Sequence, residues 1–439
     1  MASFLRDACC QYNVDTGLLH TVDEASYPTH VSGMSQHASR DILELVHALQ
    51  EAISYMIADA LGMDPVDVAL KNVRAAGSSI VQCVNNGKAA IKWQWHATGT
   101  KTLSDGRKHG YGFVYHPAIS WGKNNYNVSV CIKSDGKVYV PIMEADIGTH
   151  WEDAMAMVIA EELGAKIEDV LIEPLTDNPL WAQGTAEDRG ATSTWVAKEA
   201  ALNLKANLLT AAVASGVFGT SVTSPSQLDT ANSTVFLISD PTKNYPFGQF
   251  AQSSNILYAS YAGKPPTDPR GAGTTTPFNV NVPLGPMSAT FCEVAVDTGT
   301  GQVEVLDWVV ACDAGKVIRP SSYEGQIEGP IIHCATHNML EDIVYDPATG
   351  VRLNASTLEY KPITILDMAP ITMPTMESRM GGGAYGATGQ SHFLNVETII
   401  SLAVYNAIGK WVSPPITPDK VLAALGTIPM SSVRQTGSE

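Results

Sequence analysis

The chain has 439 residues, with 27 Lys and Arg against 44 Asp and Glu for a formal charge of −17, and 7 Cys. It is longer than the roughly 250–300 residues at which a single core stops growing, so at least two domains are expected, and its ordinary apolar content with sparse charge excludes a disordered chain. The acidic balance, with no local cluster of Lys or Arg, repels phosphate backbones and excludes nucleic acid as a partner.

Asp41 to Leu61 carries Ile42, Leu45, Val46, Leu49, Ile53, Met56, Ile57 and Leu61 at three- and four-residue spacing, which predicts a long amphipathic helix ending at Gly62. Asp64-Pro65 opens a shorter helix that reaches Lys71-Asn72. From Val128 the period changes to two: Val128, Val130 and Ile132, a turn at Ser134-Asp135-Gly136, then Val138, Val140 and Ile142. That hairpin runs through Asp146-Ile147-Gly148 into a helix from about Trp151 to Leu163. A helix from about Ser193 to Val213 follows. Ser221 to Pro286 is dense in Ser, Thr, Gly and Pro and reads as a long loop, either functional or a flexible linker.

The first plan then recurs. Cys292 to Val296, a turn over Asp297–Gly301, and Val303 to Val305 form a hairpin; the chain continues through Val309–Cys312 to Asp313-Ala314-Gly315 and a helix from about Tyr323 to Leu340. Hairpin, strand, Asp-x-Gly turn and helix each occur twice, which predicts an α+β fold of two related halves, each with β-hairpins or mixed sheet and packed helices.

The cysteines (Cys9, Cys10, Cys83, Cys131, Cys292, Cys312, Cys334) show no Cys-x-x-Cys and no spacing suited to zinc or an iron–sulfur cluster. They point to a reducing compartment. With no basic-then-apolar leader and no run approaching about 18 apolar residues, a soluble, cytoplasmic protein with no membrane partner is expected. Dinucleotide-binding, Walker, nucleophile-elbow and His-Glu-x-x-His motifs are all missing.

Three polar or Gly-rich segments remain as candidate sites: Asp146 to His150, Arg189 to Thr194, and Gly381 to Gln390. Small residues there let backbone N–H groups approach an anion, and a helix N-terminus adds the positive end of its dipole. Plain capping and turn chemistry is the other reading of each. Gly381, Gly382, Gly383, Gly386 and Gly389 together carry a large entropic cost, which either close approach to a ligand or a tight structural crossing would explain.

As an ordered set, these segments resemble the molybdenum hydroxylases, the xanthine dehydrogenase and aldehyde oxidase family. The resemblance rests on Val138 to Thr194, with Ala160-Glu161-Glu162-Leu163-Gly164 and Gly-Ala-Thr-Ser-Thr at 190–194; on Asp313 to Pro320; and on Glu324-Gly325-Gln326-Ile327-Glu328-Gly329. Asn354 to Asp367, Pro415 to Leu425, and Leu61 to Asn72 also fit, although Pro362 stands one place early. The resemblance covers the C-terminal, molybdopterin-binding part of the large subunit, here as a separate polypeptide. It implies two molybdopterin-binding halves, drawn here as 1–125 with 287–345 and 126–286 with 346–439.

The resemblance also implies molybdopterin, as such or as its cytosine dinucleotide, with molybdenum held through the pterin and no protein ligand. Gly148, Thr149, His150, Gly190, Ala191, Thr192, Ser193, Thr194, Gly386, Ala387, Thr388 and Gly389 would bind this cofactor. Partners would be a second chain carrying the N-terminal, hammerhead-containing part, a [2Fe-2S] subunit and an FAD subunit. The substrate would be a small cyclic, aromatic or heterocyclic molecule or an aldehyde.

Three departures bear on the chemistry. The family's catalytic Glu, a base that activates the metal-bound hydroxide, is here Gln390, whose carboxamide cannot accept a proton near neutral pH. The family's Gly-Gln-Gly is Gly148-Thr149-His150, and the Gln after the Gly-Gln-x-Glu-Gly motif is His333. Gln390, His150 and His333 are therefore the catalytic candidates: either imidazole, if it faces the pocket, would replace the lost base, and a surface position is the other reading. Three functions stay open: hydroxylation, hydration or dehydrogenation of cyclic enones, quinones or hydroxylated rings, and a non-catalytic scaffold.

Overall fold

The computed structural model describes residues 11–13, 18–20, 53–72, 79–116, 126–142, 148–174, 189–251, 256–263, 287–346, 348–356, 358, 360–379, 382–387, 396 and 398–432. In chain order the elements are a small hairpin of β1 (Gln11–Asn13) and β2 (Leu18–His20), then helices α1 (53–60), α2 (Pro65–Asn72) and α3 (Ser79–Ala90). Next come β3 (Lys108–His116), β4 (Tyr126–Ile132), β5 (Val138–Ile142), α4 (Trp151–Leu163), β6 (Val170–Pro174) and α5 (Arg189–Ser215). The rest are β7 (Leu228–Ala231), β8 (Thr234–Leu237), β9 (Asp240–Pro246), β10 (Leu257–Gly263), β11 (Met287–Val296), β12 (Val303–Asp313), α6 (Pro320–Met339), β13 (Ile371–Thr372), β14 (Thr375–Met376), α7 (Ile399–Ile408) and α8 (Pro418–Ala424).

Two sheets of the same plan organise the chain. One runs β10-β4-β5-β6, antiparallel except that β6 lies parallel to β5. The other runs β3-β11-β12 with β13 and β14 parallel to β12. In each, the second strand of a hairpin leads into a helix, α4 or α6, before the chain returns to a parallel neighbour of that strand. The hairpin–strand–helix recurrence read from sequence is thus a repeated sheet order.

Burial follows the predicted periods. Val138, Val140 and Ile142 point inward with exposed or half-exposed neighbours between them, and Val128, Val130 and Ile132 join them beneath α4 and α5. The hairpin turns are held by Asp side chains: Asp135 Oδ1 accepts from Lys137 N at 3.0 Å, and Asp297 Oδ1 from Gly299 N at 2.8 Å.

The second sheet is covered on both faces. On one, α3 packs over Phe291, Phe113 and Trp93; on the other, α6 and α7 cover Val294, Trp308 and Val310. Strand β3 sorts its side chains accordingly, with Tyr111 and Phe113 toward α3 and Val114 toward α7, and Gly110 and Gly112 admit α7 backbone to contact distance. Asn406 of α7 is buried; its Oδ1 accepts from Tyr111 N at 3.0 Å and its Nδ2 donates to His96 O at 3.3 Å.

Three expectations are revised. Ser221–Pro286 is not one long loop: its described part folds into β7–β9, an antiparallel sheet against the end of α4, and into β10. These strands are short and β9 is largely exposed, so they carry little apolar periodicity. Helix α5 starts at Arg189, four residues before Ser193. Residues 346–439 were grouped with 126–286, yet Ile399, Leu402, Ala403, Val412 and Val421 share one core with Val294, Val310 and Ile327. Of the helix predicted over Asp41–Leu61, the described part is helical over 53–60.

Buried His109 links Glu293, 2.5 Å from its Nε2, to His96, 3.0 Å from its Nδ1. Burial lowers the His96 imidazole below its ordinary value. The folded chain therefore binds this proton less readily than the unfolded one, so stability attached to His96 is complete above the ordinary imidazole value of about 6.5 and is lost as pH falls below it. Melting temperatures at about pH 7.5 and about pH 5.5 should differ less in His96→Gln than in the wild type.

Candidate cofactor site

The site assembles where the C-terminal end of β12 meets the N-termini of α4 and α5, so both halves contribute. In the 148–150 turn, Gly148 has φ 91° and His150 φ 48°, both in the left-handed region. Thr149 is buried between them, while Gly148 and His150 are exposed. His150 is the N-cap of α4, its carbonyl accepting from Ala154 N at 3.3 Å. A non-glycine residue held left-handed costs about 1–3 kcal/mol and marks a position fixed by its surroundings.

That turn is tied to the other half by side chains. Gln326 Nε2, from the second turn of α6, donates to Gly148 O at 2.7 Å, and Arg319, the N-cap of α6, pairs with Asp153 in the first turn of α4. Two further bonds fix the Gly-rich segment: Thr194 Oγ1 accepts from Ala384 N at 3.2 Å, and Lys316 N donates to Gly386 O at 3.1 Å, making the bridge between Gly315 and Ala387. Within the segment, Gly386 has φ 85° and a Cβ there would lie 2.2 Å from Arg379 O, so glycine is required. Buried Asp313 braces the base of the arrangement, its Oδ1 accepting from Gly315 N at 2.9 Å and Ser378 N at 3.3 Å.

Tyr385, left-handed at φ 57°, reaches across to α4, where its phenol donates to Glu162 Oε1 at 2.8 Å. Burial and then that bond push the phenol above its ordinary range. Lys198 of α5 lies 3.7 Å from Glu162 Oε1 and 5.2 Å from the Tyr385 ring. The Gly-rich segment is therefore clamped between α4, α5 and the 313–316 turn.

Of the predicted cofactor-binding residues, Gly148 is bonded to Gln326, Thr194 to Ala384 with buried Ser193 beside it, and Gly386 to Lys316; Glu162, which receives Tyr385, stands about 18 Å along α4 from His150. Gly190, Ala191 and Thr192 lie in the first turn of α5, where backbone N–H groups lack intrahelical acceptors. Because the helix starts at Arg189, Ser193 and Thr194 stand past that turn, and Thr194 acts through its hydroxyl. Thr388, Gly389 and Gln390 lie outside the described residues. His333 is not brought to the cluster: it is exposed on α6, two turns and roughly 10 Å along the axis from Gln326, its ring 6.4 Å from that of His337.

The Arg319–Asp153 pair and the Tyr385–Glu162–Lys198 cluster were not singled out from sequence. Arg319, Gln326 and Glu162 all stand in the family-like segments, but nothing local in the sequence pairs them with Asp153, Gly148 or Tyr385.

Two buried donors near this junction have no hydrogen-bond partner among the described residues: Trp195 Nε1, next to Thr194, and Ser322 Oγ, in the first turn of α6. Buried donors left unpaired, two helix N-termini and left-handed turns that open backbone N–H groups suit a large polar anion such as a pterin phosphate.

A family profile described as the molybdopterin cofactor-binding domain matches residues 86–369. The chain belongs to the molybdopterin cofactor-binding domain family. It is 24% identical over 408 residues to the probable hypoxanthine oxidase XdhD of Escherichia coli K12, covering 90% of this chain and 40% of that protein. To the putative xanthine dehydrogenase molybdenum-binding subunit XdhA of the same organism it is 23% identical over 394 residues, covering 83% and 50%. Among solved structures, quinoline 2-oxidoreductase from Pseudomonas putida 86 superposes with a TM-score of 0.67 at 18% identity, over 88% of this chain and 52% of that one. The Cu,Mo-CO dehydrogenase superposes with a TM-score of 0.68 at 18% identity, over the same shares. These likenesses bear out the α+β fold, and the chain spans about half the length of the relatives it matches. No helix among the described residues is long and apolar enough to cross a membrane.

Proposed function

We propose that this chain is the molybdopterin-holding part of a molybdenum-dependent oxidoreductase that acts on a small cyclic, aromatic or heterocyclic molecule or an aldehyde. What supports the reading is that the predicted segments each bond across the sheets, Gly148 to Gln326 and Thr194 to Ala384. Backbone donors of 148–150 and of the first turn of α5 would hold the pterin and its phosphate, and Gly386-Ala387 would pass close beside them. When bound, the molybdenum–pterin group supplies the acceptor for the substrate's electron pair. The remainder of the subunit, a [2Fe-2S] protein and an FAD protein would complete the path for electrons, in the cytoplasm. Purifying the native complex and measuring molybdenum and pterin against this chain tests the reading: near-stoichiometric amounts are expected, and their absence overturns it.

A second reading concerns the reaction. Gln390 stands where the resembling family places a Glu, and a carboxamide does not take up the proton that hydroxylation requires. His150, exposed at the head of α4 beside the Gly148 turn, would be the side chain to take up that proton. The complex should therefore be a poor hydroxylase, with hydration of cyclic enones or dehydrogenation of hydroxylated rings as its activity. Gln390→Glu should raise turnover of azaheterocycles and aldehydes at least tenfold; no gain would place the block elsewhere. Turnover unchanged in both Gln390→Ala and His150→Ala would support a non-catalytic scaffold instead.

A further inference from the structure

Away from the cofactor loops, the C-terminal end of α6 carries a cavity of about 510 Å³. It opens between the last turn of the helix and the chain that follows, with His337, Glu341, Ile343, Arg352, Ala355 and Tyr360 among its walls. That volume lies within the roughly 300–1,000 Å³ of small-molecule sites. His337 stands about 16 Å along α6 from Gln326, the residue bonded to Gly148, so the cavity is separate from that turn.

Backbone bonds fix the walls without any ligand. Asp346 N donates to Val351 O and Leu353 N to Val344 O, both at 2.8 Å, closing a turn at left-handed Gly350. Tyr360 N donates to Ser356 O at 2.9 Å, and Ile363 N reaches back to Thr336 Oγ1 of α6 at 3.3 Å, which ties the segment to the helix. A site whose backbone is already ordered loses little conformational entropy on binding.

The polar groups of the walls divide into those already engaged and one that is not. Glu341 pairs with His337 Nε2 at 2.6 Å and accepts from the Tyr360 phenol. The Asn354 amide is taken up by backbone, donating to Asp342 O and accepting from Val344 N. Arg352 is exposed, its backbone bridged to Tyr345, and its guanidinium has no ion pair among the described residues. A guanidinium presents a planar fork of donors that matches a carboxylate, and Ile343, Ala355 and the Tyr360 ring supply apolar wall in the same cavity.

We propose that this cavity is a binding site for a small monocarboxylate with an apolar or aromatic body, its carboxylate against Arg352 and its body against Ile343, Ala355 and Tyr360. The charge of the walls sets the charge of the ligand: Arg352 neutralises one carboxylate, and Glu341 in the same cavity repels a second, so a dicarboxylate binds less well than the monoacid. The proposal does not depend on the function proposed above, because none of these residues belongs to the cofactor loops.

The test uses the native complex, purified through a tag on this chain, with benzoate, benzamide and terephthalate as probes in calorimetric titrations. Benzoate should bind saturably with a Kd of about 1 mM or below, and benzamide and terephthalate at least tenfold more weakly. Irradiated 4-azidobenzoate should label the stretch 337–360, and excess benzoate should suppress that label. Arg352→Gln should weaken benzoate at least tenfold, Arg352→Lys several-fold because a point charge replaces the fork, and Ala355→Trp, which fills the cavity, should abolish binding. Both positions are exposed, so far-ultraviolet circular dichroism and the melting temperature should stay at wild-type values. Absence of saturable benzoate binding, equal affinity for benzamide, label confined to other stretches, or undiminished affinity in Arg352→Gln and Ala355→Trp would each overturn the proposal.

Discussion

Gly110→Val should unfold the half built on β3, with a loss of about 3 kcal/mol or more, at the upper end of overpacking costs. A Cβ at Gly110 would lie 1.9 Å from Ala403 O and 2.7 Å from Ala407 N; at Gly112, two residues on and on the same face of the strand, it would lie 2.1 Å from Ile399 O. The obstructing atoms are helix backbone, which cannot swing aside as a side-chain tip does. Helix α7 must then lift from β3 and β11, exposing Ile399, Leu402, Ala403 and Ala407, all fully buried. Gly325→Ala serves as the contrast, because nothing lies within 4 Å of a Cβ there and a mid-helix Ala is favoured over Gly by about 1 kcal/mol. Urea unfolding midpoints should move down for Gly110→Val and slightly up for Gly325→Ala; equal midpoints would contradict the packing described.

The second large effect is expected at the junction of the halves. Thr194→Val removes the acceptor for Ala384 N, and Gln326→Leu the donor to Gly148 O. Leaving the buried Ala384 N unpaired costs about 1–3 kcal/mol, the exposed Gln326 bond adds less, and each 1.4 kcal/mol is a factor of ten in binding. The double variant should therefore retain its secondary structure while molybdenum and pterin in the purified complex fall tenfold or more. Full loading in that variant would show that these bonds do not position the cofactor loops.

Much of this organisation is legible in the residues because it is local. The alternation of Val138, Val140 and Ile142, the Asp135 and Asp297 turns, and the limits of α4 each depend on neighbours a few positions away. Strands β7–β9 were missed because short, polar, edge-exposed strands are specified by their pairing and not by an apolar period. The start of α5 was placed late because Gly190, Thr192, Ser193 and Thr194 are weak helix formers.

At the site, the Gly-rich and hydroxyl-bearing segments announced themselves by composition, and Gly386 has its reason in the approach of Arg379. The pairings that join them were not legible. Gln326 meets Gly148 across 178 positions, and Tyr385 meets Glu162 across 223. His333 shows the converse: a correspondence in the sequence string did not predict a place at the junction, since an exposed helix position is decided by what the helix packs against.

By itself the sequence determined the repeated hairpin–strand–helix plan and the turn chemistry, because each follows from the backbone preferences and periodicity of residues close in the chain. The tertiary structure alone decided that α7 lies on β3, that Gln326 and Thr194 bond across the two halves, and that Leu358, Ile365 and Leu366 stand exposed. Those outcomes depend on contacts between residues hundreds of positions apart, where close packing and hydrogen-bond geometry select one arrangement that no local pattern encodes.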